Sequence, residues 1–179
     1  MIQTVKLVTF LAIITIAAGC QTMKPIHTVE KVDLERFMGD WYVIASIPTF
    51  IEKDAYNATE SYRLDNDGTV ATTFKFNKGS YDGPVKEYNP RGYVRDTQSN
   101  AVWGMQFVWP FKAEYRIIFL SDDDTQTVIG RTNRDYVWIM ARESSIPVDD
   151  YERILEFIRD QGYDLDKLKQ VPHRAGAIN

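Results

Sequence analysis

The sequence predicts an all-β fold: an eight-stranded antiparallel up-and-down barrel with one C-terminal α-helix packed outside. Three observations support this fold class. From Gly39 onward the chain is rich in aromatic and β-branched residues, these residues fall in short runs, and turn signals separate the runs. No helical pattern interrupts the runs, as parallel βαβ units would require. Eight strands closed into a barrel leave room for one small ligand.

The eight runs cover residues 41–47, 55–64, 69–76, 88–95, 101–108, 113–120, 125–131 and 135–142. The connections between them alternate in kind. The second, fourth and sixth are tight polar turns, whereas the first, third and fifth carry apolar residues such as Phe50, Tyr81 and Trp109. Because successive connections of a meander fall at opposite ends, we expect one closed end and one mouth.

The segment after the strands predicts a helix of about a dozen residues that ends at Gly162. Tyr151, Ile154, Leu155 and Ile158 recur at the spacing of one helix face. We therefore expect this helix to pack an apolar stripe on the outside of the barrel.

The N-terminus resembles a bacterial lipoprotein signal peptide. Lys6 is followed by thirteen uncharged, mostly apolar residues, and the segment ends in Ala18-Gly19-Cys20, which looks like a lipobox. The resemblance implies a signal peptide at 1–19, acyl groups such as palmitate on Cys20, a tether at 20–30 and a barrel domain at 31–179. Gln21 implies sorting to the outer membrane. The alternatives are a short transmembrane stub, which the length disfavours, and an ordinary cleaved signal peptide.

Charge and cysteine content narrow the function classes. The formal net charge is −4, and removal of residues 1–19 takes away only Lys6, which leaves 20 basic and 25 acidic side chains. A mildly acidic chain has no electrostatic footprint for nucleic acid. Cys20 is the only cysteine, so packing rather than disulfides must hold the fold together.

Two motifs resemble the lipocalin family. Gly39-Asp40-Trp41 is similar to the first lipocalin signature, and residues 135–142 are similar to the last-strand signature of bacterial lipocalins and apolipoprotein D relatives. The resemblance implies that Trp41 plugs the closed end and that Arg142 stacks across it. The third signature is represented by Ser121-Asp122-Asp123, in which Asp122 matches and the aromatic residue is missing.

Alternation, with its phase fixed from the family resemblance, predicts an apolar and aromatic interior. The predicted ligand-binding residues are Glu60, Tyr62, Phe74, Phe76, Trp103, Met105, Phe107, Tyr115, Ile117 and Trp138. The same phase places Val43, Ala45 and Phe119 inside. The alternative is that these side chains fill a solid barrel.

Glu60 interrupts the apolar pattern. A carboxylate inside the barrel is costly unless it has a partner, such as an arginine, Tyr62, Tyr115 or the polar head of a ligand. Alternatively, a bulge in the strand turns Glu60 outward. At the mouth, Phe50, Ile51, Trp109 and Phe111 predict either a recognition or membrane-contact patch or a lid folded into the barrel.

The sequence predicts a membrane-anchored carrier rather than an enzyme. His27 and His173 lie near the chain ends, and no phosphate loop is present, so no cofactor or metal is expected. The expected partners are a fatty acid, lysophospholipid or similar amphiphile and the bacterial outer membrane; a homodimer stays open. The alternatives are a lipocalin-type isomerase or reductase with Glu60, Tyr62 and Tyr115 as acid-base candidates, and a filled barrel that binds a protein at its rim.

Overall fold

A computed structural model describes residues 26–174 as one closed antiparallel barrel with an external helix. The strands are β1 Gly39–Ile47, β2 Ala55–Leu64, β3 Thr69–Lys78, β4 Val85–Tyr88, β5 Arg91–Val94, β6 Val102–Val108, β7 Phe111–Leu120, β8 Gln126–Gly130, β9 Val137–Ala141 and β10 Lys169–Gln170. The helices are α1 Leu34–Phe37 and α2 Val148–Asp160, followed by a 3-10 turn at Leu165–Lys167. The predicted signal peptide and Cys20 lie outside the described residues.

The barrel closes because β1 pairs with both β2 and β9. Strands β2 to β9 pair with their sequence neighbours, except that β4 and β5 both pair with β3 and together form the fourth barrel strand. The predicted eight-stranded up-and-down barrel is confirmed. The fourth strand was predicted as one run, but Pro90 cannot donate to the ladder and divides it.

The C-terminal segment completes the barrel wall near the mouth. β1 pairs with β2 only through Gly39–Tyr42, whereas Ala45 and Ser46 pair with β10. The backbone N–H of Asn57 donates to the Pro172 carbonyl at 2.8 Å, which joins this segment to β2. His173 is buried beside β1, with Nε2 2.9 Å from the Val43 carbonyl oxygen, and burial lowers its pKa.

Two buried clusters lie on opposite sides of the barrel wall. One fills the interior, and the other joins the outer face of β1, β8 and β9 to Tyr151, Ile154 and Ile158 of α2. The predicted helix and its apolar stripe are therefore confirmed. Between residues 26 and 174, no helix has the length and hydropathy needed to cross a membrane.

Ala45 and Phe119 do not point inward, which corrects two predictions. Ala45 belongs to the buried cluster beneath α2. Phe119 is partly buried against that cluster and packs on Phe157 with ring centres 5.6 Å apart. Register shifts occur at Val43/Ala45 in β1 and at Ile117/Phe119 in β7. A bulge reverses the inside-outside alternation beyond it, so the expected phase fails there.

The closed end is capped by α1 and Trp41. The Asp33 carboxylate caps α1 by accepting from the amides of Glu35 and Arg36. Trp41 is fully buried, and its indole nitrogen donates to the Phe37 carbonyl at 2.9 Å. Arg142 lies across the outer face of the indole ring, in the place that the family resemblance implies.

Candidate functional site

The mouth half of the barrel contains a cavity of about 530 Å³. This volume lies within the usual range for small-molecule pockets, about 300–1,000 Å³. Six of the ten residues predicted to bind ligand line it: Glu60, Phe74, Met105, Phe107, Tyr115 and Trp138. Their role in ligand binding stays a prediction, but their position on the cavity wall agrees with the predicted inward phase.

The other four predicted residues do not line this cavity, and their role in ligand binding stays a prediction. Tyr62, Trp103 and Ile117 are buried toward the closed end, and Phe76 packs against Phe74 with ring centres 5.2 Å apart. Trp103 stacks on Tyr115 at 5.2 Å and meets Phe37 edge-on at 5.6 Å. The solid-barrel alternative therefore holds for the closed half and not for the mouth half.

Glu60 points into the cavity. The register shift in β2 lies between Tyr56 and Thr59, before Glu60, so Glu60 stays on the inner face with Ala58 and Tyr62. The alternative of an outward Glu60 is wrong for this reason.

The floor of the cavity is a small hydrogen-bonded group. The Tyr62 hydroxyl donates to the Glu60 carboxylate and lies 2.7 Å from the Tyr115 hydroxyl. Burial raises the pKa of Glu60 from 4.5 to about 7, the Tyr62 hydrogen bond opposes this rise, and the negative charge of Glu52 adds to it. The acid-base candidates of the enzyme alternative thus lie together, although Tyr62 is beneath the cavity.

Thr72 also lines the cavity, and its hydroxyl oxygen is buried and unpaired. It stands opposite Tyr62 in the β2–β3 pair, lines the cavity and is 3 % exposed. Within the described part of the chain, its Oγ1 has no hydrogen-bond partner. A buried hydroxyl without a partner is costly, so this position favours a ligand or water that supplies one.

Glu52 is a second cavity carboxyl, and the sequence analysis missed it. It lies in the connection between β1 and β2 and accepts hydrogen bonds from Trp138 Nε1 at 2.8 Å and Thr49 Oγ1 at 2.7 Å. Burial raises its pKa, and these two hydrogen bonds oppose the rise. The available signal was a charged residue beside Phe50 and Ile51 in an otherwise apolar mouth loop.

Arg131 and Glu114 also lie on the cavity wall and were missed. Arg131 pairs with Asp135 at 3.3 Å and lies 5.2 Å from the Tyr136 ring centre. Glu114 accepts a 2.6 Å hydrogen bond from Arg116 and two more from Thr132. Glu114 is thus held by protein partners, whereas Arg131 Nε is buried without a hydrogen-bond partner among the described residues.

The rim of the mouth carries exposed apolar side chains. Phe50, Trp109 and Phe111 are 81 %, 80 % and 76 % exposed. Phe50 also lines the cavity entrance, whereas Trp109 and Phe111 do not line the cavity. The lid alternative does not fit Trp109 and Phe111, which are exposed at the β6–β7 hairpin and do not line the cavity.

The predicted Asp122 position lies in the turn between β7 and β8. The two residues that follow it make side-chain contacts in this turn. Asp123 accepts hydrogen bonds from the Ser121 and Thr125 hydroxyls, and Asp124 forms an ion pair with Arg36 at 2.6 Å. Among residues 26–174, no three His, Cys, Asp or Glu side chains are grouped to hold a metal ion.

Comparison with known proteins agrees with this geometry. The family model of the lipocalin-like domain matches residues 32–173. The chain belongs to the lipocalin family. This lipocalin is 27 % identical to temperature-induced lipocalin-1 of Arabidopsis thaliana over 83 % of each chain. It is 26 % identical to the outer membrane lipoprotein Blc of Citrobacter freundii over 81 % of each chain.

Solved structures support the same fold. Insecticyanin from the tobacco hornworm Manduca sexta has a TM-score of 0.67 and 13 % identity, over 88 % of this lipocalin and 89 % of that chain. At this identity the likeness concerns the barrel and not the ligand.

Proposed function

We propose that this lipocalin holds a fatty acid, lysophospholipid or similar single-chain amphiphile in its mouth-half cavity, for storage or transport in envelope maintenance or stress. The observation that carries the proposal is the cavity of about 530 Å³ with a mostly apolar and aromatic wall. Burial of each acyl methylene there contributes about 0.8 kcal/mol to binding.

The proposal includes attachment to the bacterial outer membrane through acylated Cys20. The lipobox-like sequence supports it, as does the similarity to relatives named outer membrane lipoprotein Blc. A tether of about ten residues would keep the barrel near the bilayer that supplies its ligand.

A binding role without catalysis is the simpler form of the proposal. The relatives are named as lipocalins and lipoproteins. The cavity floor carries a hydrogen-bonded group formed by Glu60, Tyr62 and Tyr115. Such a group can bind the polar head of a ligand as well as exchange a proton with it.

Native mass spectrometry of protein purified from bacteria tests the proposal. We expect a lipid of unchanged mass to copurify with the chain from residue 20 onward carrying Cys20→Ser. Ala113 lines the cavity, so Ala113→Trp should fill it and abolish copurification. Ala71→Trp is the matched control, because Ala71 lies on the outer face of β3, between the inward Val70 and Thr72.

Two results would contradict the proposal. An empty wild-type barrel that also refuses added lipid would rule out a carrier. A chemically altered lipid after incubation would favour the enzyme alternative.

A further inference from the structure

The cavity of this lipocalin is acidic as well as apolar. Glu60 lies at its floor and Glu52 near its mouth. Within residues 26–174, neither carboxyl forms an ion pair; their hydrogen-bond donors are the neutral groups of Tyr62, Thr49 and Trp138. Two carboxyls without an ion-pair partner among the described residues therefore face the cavity, whose wall also carries the cation of Arg131.

The other charged groups on the cavity wall do not neutralise them. Arg131 is paired with Asp135, and the Glu114 carboxylate is satisfied by Arg116 and Thr132. The negative charge of Glu52 also helps to raise the pKa of Glu60. An incoming carboxylate or phosphate at the floor would meet like charge, which is unfavourable in a partly desolvated site.

Three residues that line the cavity carry hydrogen-bond acceptors. The Glu60 carboxylate, the unpaired Thr72 Oγ1 and the Tyr115 hydroxyl all belong to residues that line this part of the cavity. A primary ammonium group has three N–H donors and no acceptor, which matches such a set. A hydrogen bond between an ammonium and a carboxylate is also stronger than one between neutral groups.

The aromatic wall suits the same group. Phe74, Tyr88, Tyr115 and Trp138 line the cavity around and above the floor. The face of an aromatic ring attracts a desolvated cation. Aromatic side chains combined with carboxyls that have no ion-pair partner thus favour a cationic head over a neutral or anionic one.

We propose that the cavity selects a long-chain amphiphile with a primary amine head, bound head-down with the ammonium at Glu60 and Thr72 and the chain toward the mouth. This rests on the proposed function, because it specifies the head group and orientation of the amphiphile that the cavity holds. A fatty acid would instead enter chain-first and leave its carboxylate at the mouth.

Three ligands with the same twelve-carbon chain test the proposal: dodecylamine, dodecanol and dodecanoate. Isothermal titration calorimetry is done at pH 8, below the micelle concentration, with the delipidated chain from residue 20 carrying Cys20→Ser. At this pH Glu60 is mostly ionised and dodecylamine is cationic. We expect dodecylamine to bind about tenfold more tightly than dodecanol, and dodecanoate to bind more weakly than dodecanol.

Glu60→Gln keeps the size of the side chain and removes the charge. It should abolish most of the preference for dodecylamine over dodecanol. Glu156→Gln is the matched control, since Glu156 is exposed on α2 and its loss changes the net charge by the same amount. This control should keep the wild-type order of affinities.

The outcomes separate the two proposals. If dodecanol and dodecanoate bind but dodecylamine gains nothing, or if Glu60→Gln leaves the order unchanged, the amine proposal is overturned and the carrier proposal stands. If none of the three ligands binds, the carrier proposal fails and the amine proposal fails with it.

Discussion

The guanidinium carbon of Arg142 lies 3.8 Å from the centre of the Trp41 indole ring. The same guanidinium donates to the carbonyl oxygens of Asp40 at 2.9 Å and Arg36 at 2.7 Å. One side chain directly after β9 thus holds the first strand and the end of α1 together. The contact closes the barrel at the end opposite the cavity, so its role is expected to be structural.

Arg142→Gln should therefore lower stability without changing ligand affinity. Loss of the cation–π contact and of the two hydrogen bonds should reduce the free energy of unfolding by about 2–3 kcal/mol. Urea unfolding followed by tryptophan fluorescence measures this change. Arg63→Gln, at an arginine that is mostly exposed and paired with Asp65, should have a small effect. Equal losses in the two variants would contradict the structural role of Arg142.

Stability should depend on pH through Glu60. Its pKa rises from 4.5 to about 7 on folding, so the folded protein binds more protons than the unfolded chain between these values. The contribution of Glu60 to the free energy of unfolding is fully present below pH 4.5. It is lost as the pH rises through 7, and the total loss is about 3 kcal/mol. His173 has the opposite sign, because burial lowers its pKa.

The Glu60→Gln variant isolates this contribution. Urea unfolding of wild type and variant is compared from pH 4.5 to pH 8, and the difference between them removes the His173 contribution. We expect wild type to lose stability relative to the variant as pH rises. A difference that does not vary with pH would show that Glu60 titrates at an ordinary value.

The sequence predicts the strands well, because each barrel strand has one face inside and therefore alternates. It fails at Ala45 and Phe119, where a bulge changes the phase by one residue and depends on the partner strand rather than on local sequence. It also misses β10, whose two residues, Lys169 and Gln170, are exposed and carry no hydrophobic pattern.

The cavity was predicted only in part for a related reason. Glu60 was identified because a charged residue in an alternating strand is conspicuous. Glu52 lies in a connection between strands, where no periodicity indicates which side chain turns inward. The division of the barrel into a filled half and an open half depends on how Phe37, Tyr62 and Trp103 pack together, which alternation alone does not specify.

The exposed rim predicts an additional contact with lipid bilayers. Trp109 and Phe111 project from the β6–β7 hairpin, with Lys112 next along the chain. The double variant Trp109→Ser, Phe111→Ser should reduce cosedimentation of the Cys20→Ser form with liposomes, since less apolar surface reaches the interface. Binding in the cavity should be unchanged.

Val148→Ser, at an exposed apolar residue of α2, is the control and should cosediment like the parent. Unchanged cosedimentation of the double variant would exclude the rim as a membrane contact.

Attachment through Cys20 can be separated from sorting by two neighbouring substitutions. Cys20→Ser removes the thiol that we propose to be acylated, so the protein should no longer incorporate radiolabelled palmitate and should leave the membrane fraction. Gln21→Asp keeps Cys20 and should still incorporate palmitate, but the family resemblance implies retention in the inner membrane. Density-gradient fractionation of bacterial envelopes distinguishes these results.

A single acyl chain anchors a protein only marginally, so stable recovery with membranes requires the multiple chains expected on a lipoprotein cysteine. If Cys20→Ser fractionates with the outer membrane as wild type does, the anchor lies elsewhere and the exposed rim becomes the candidate for membrane attachment.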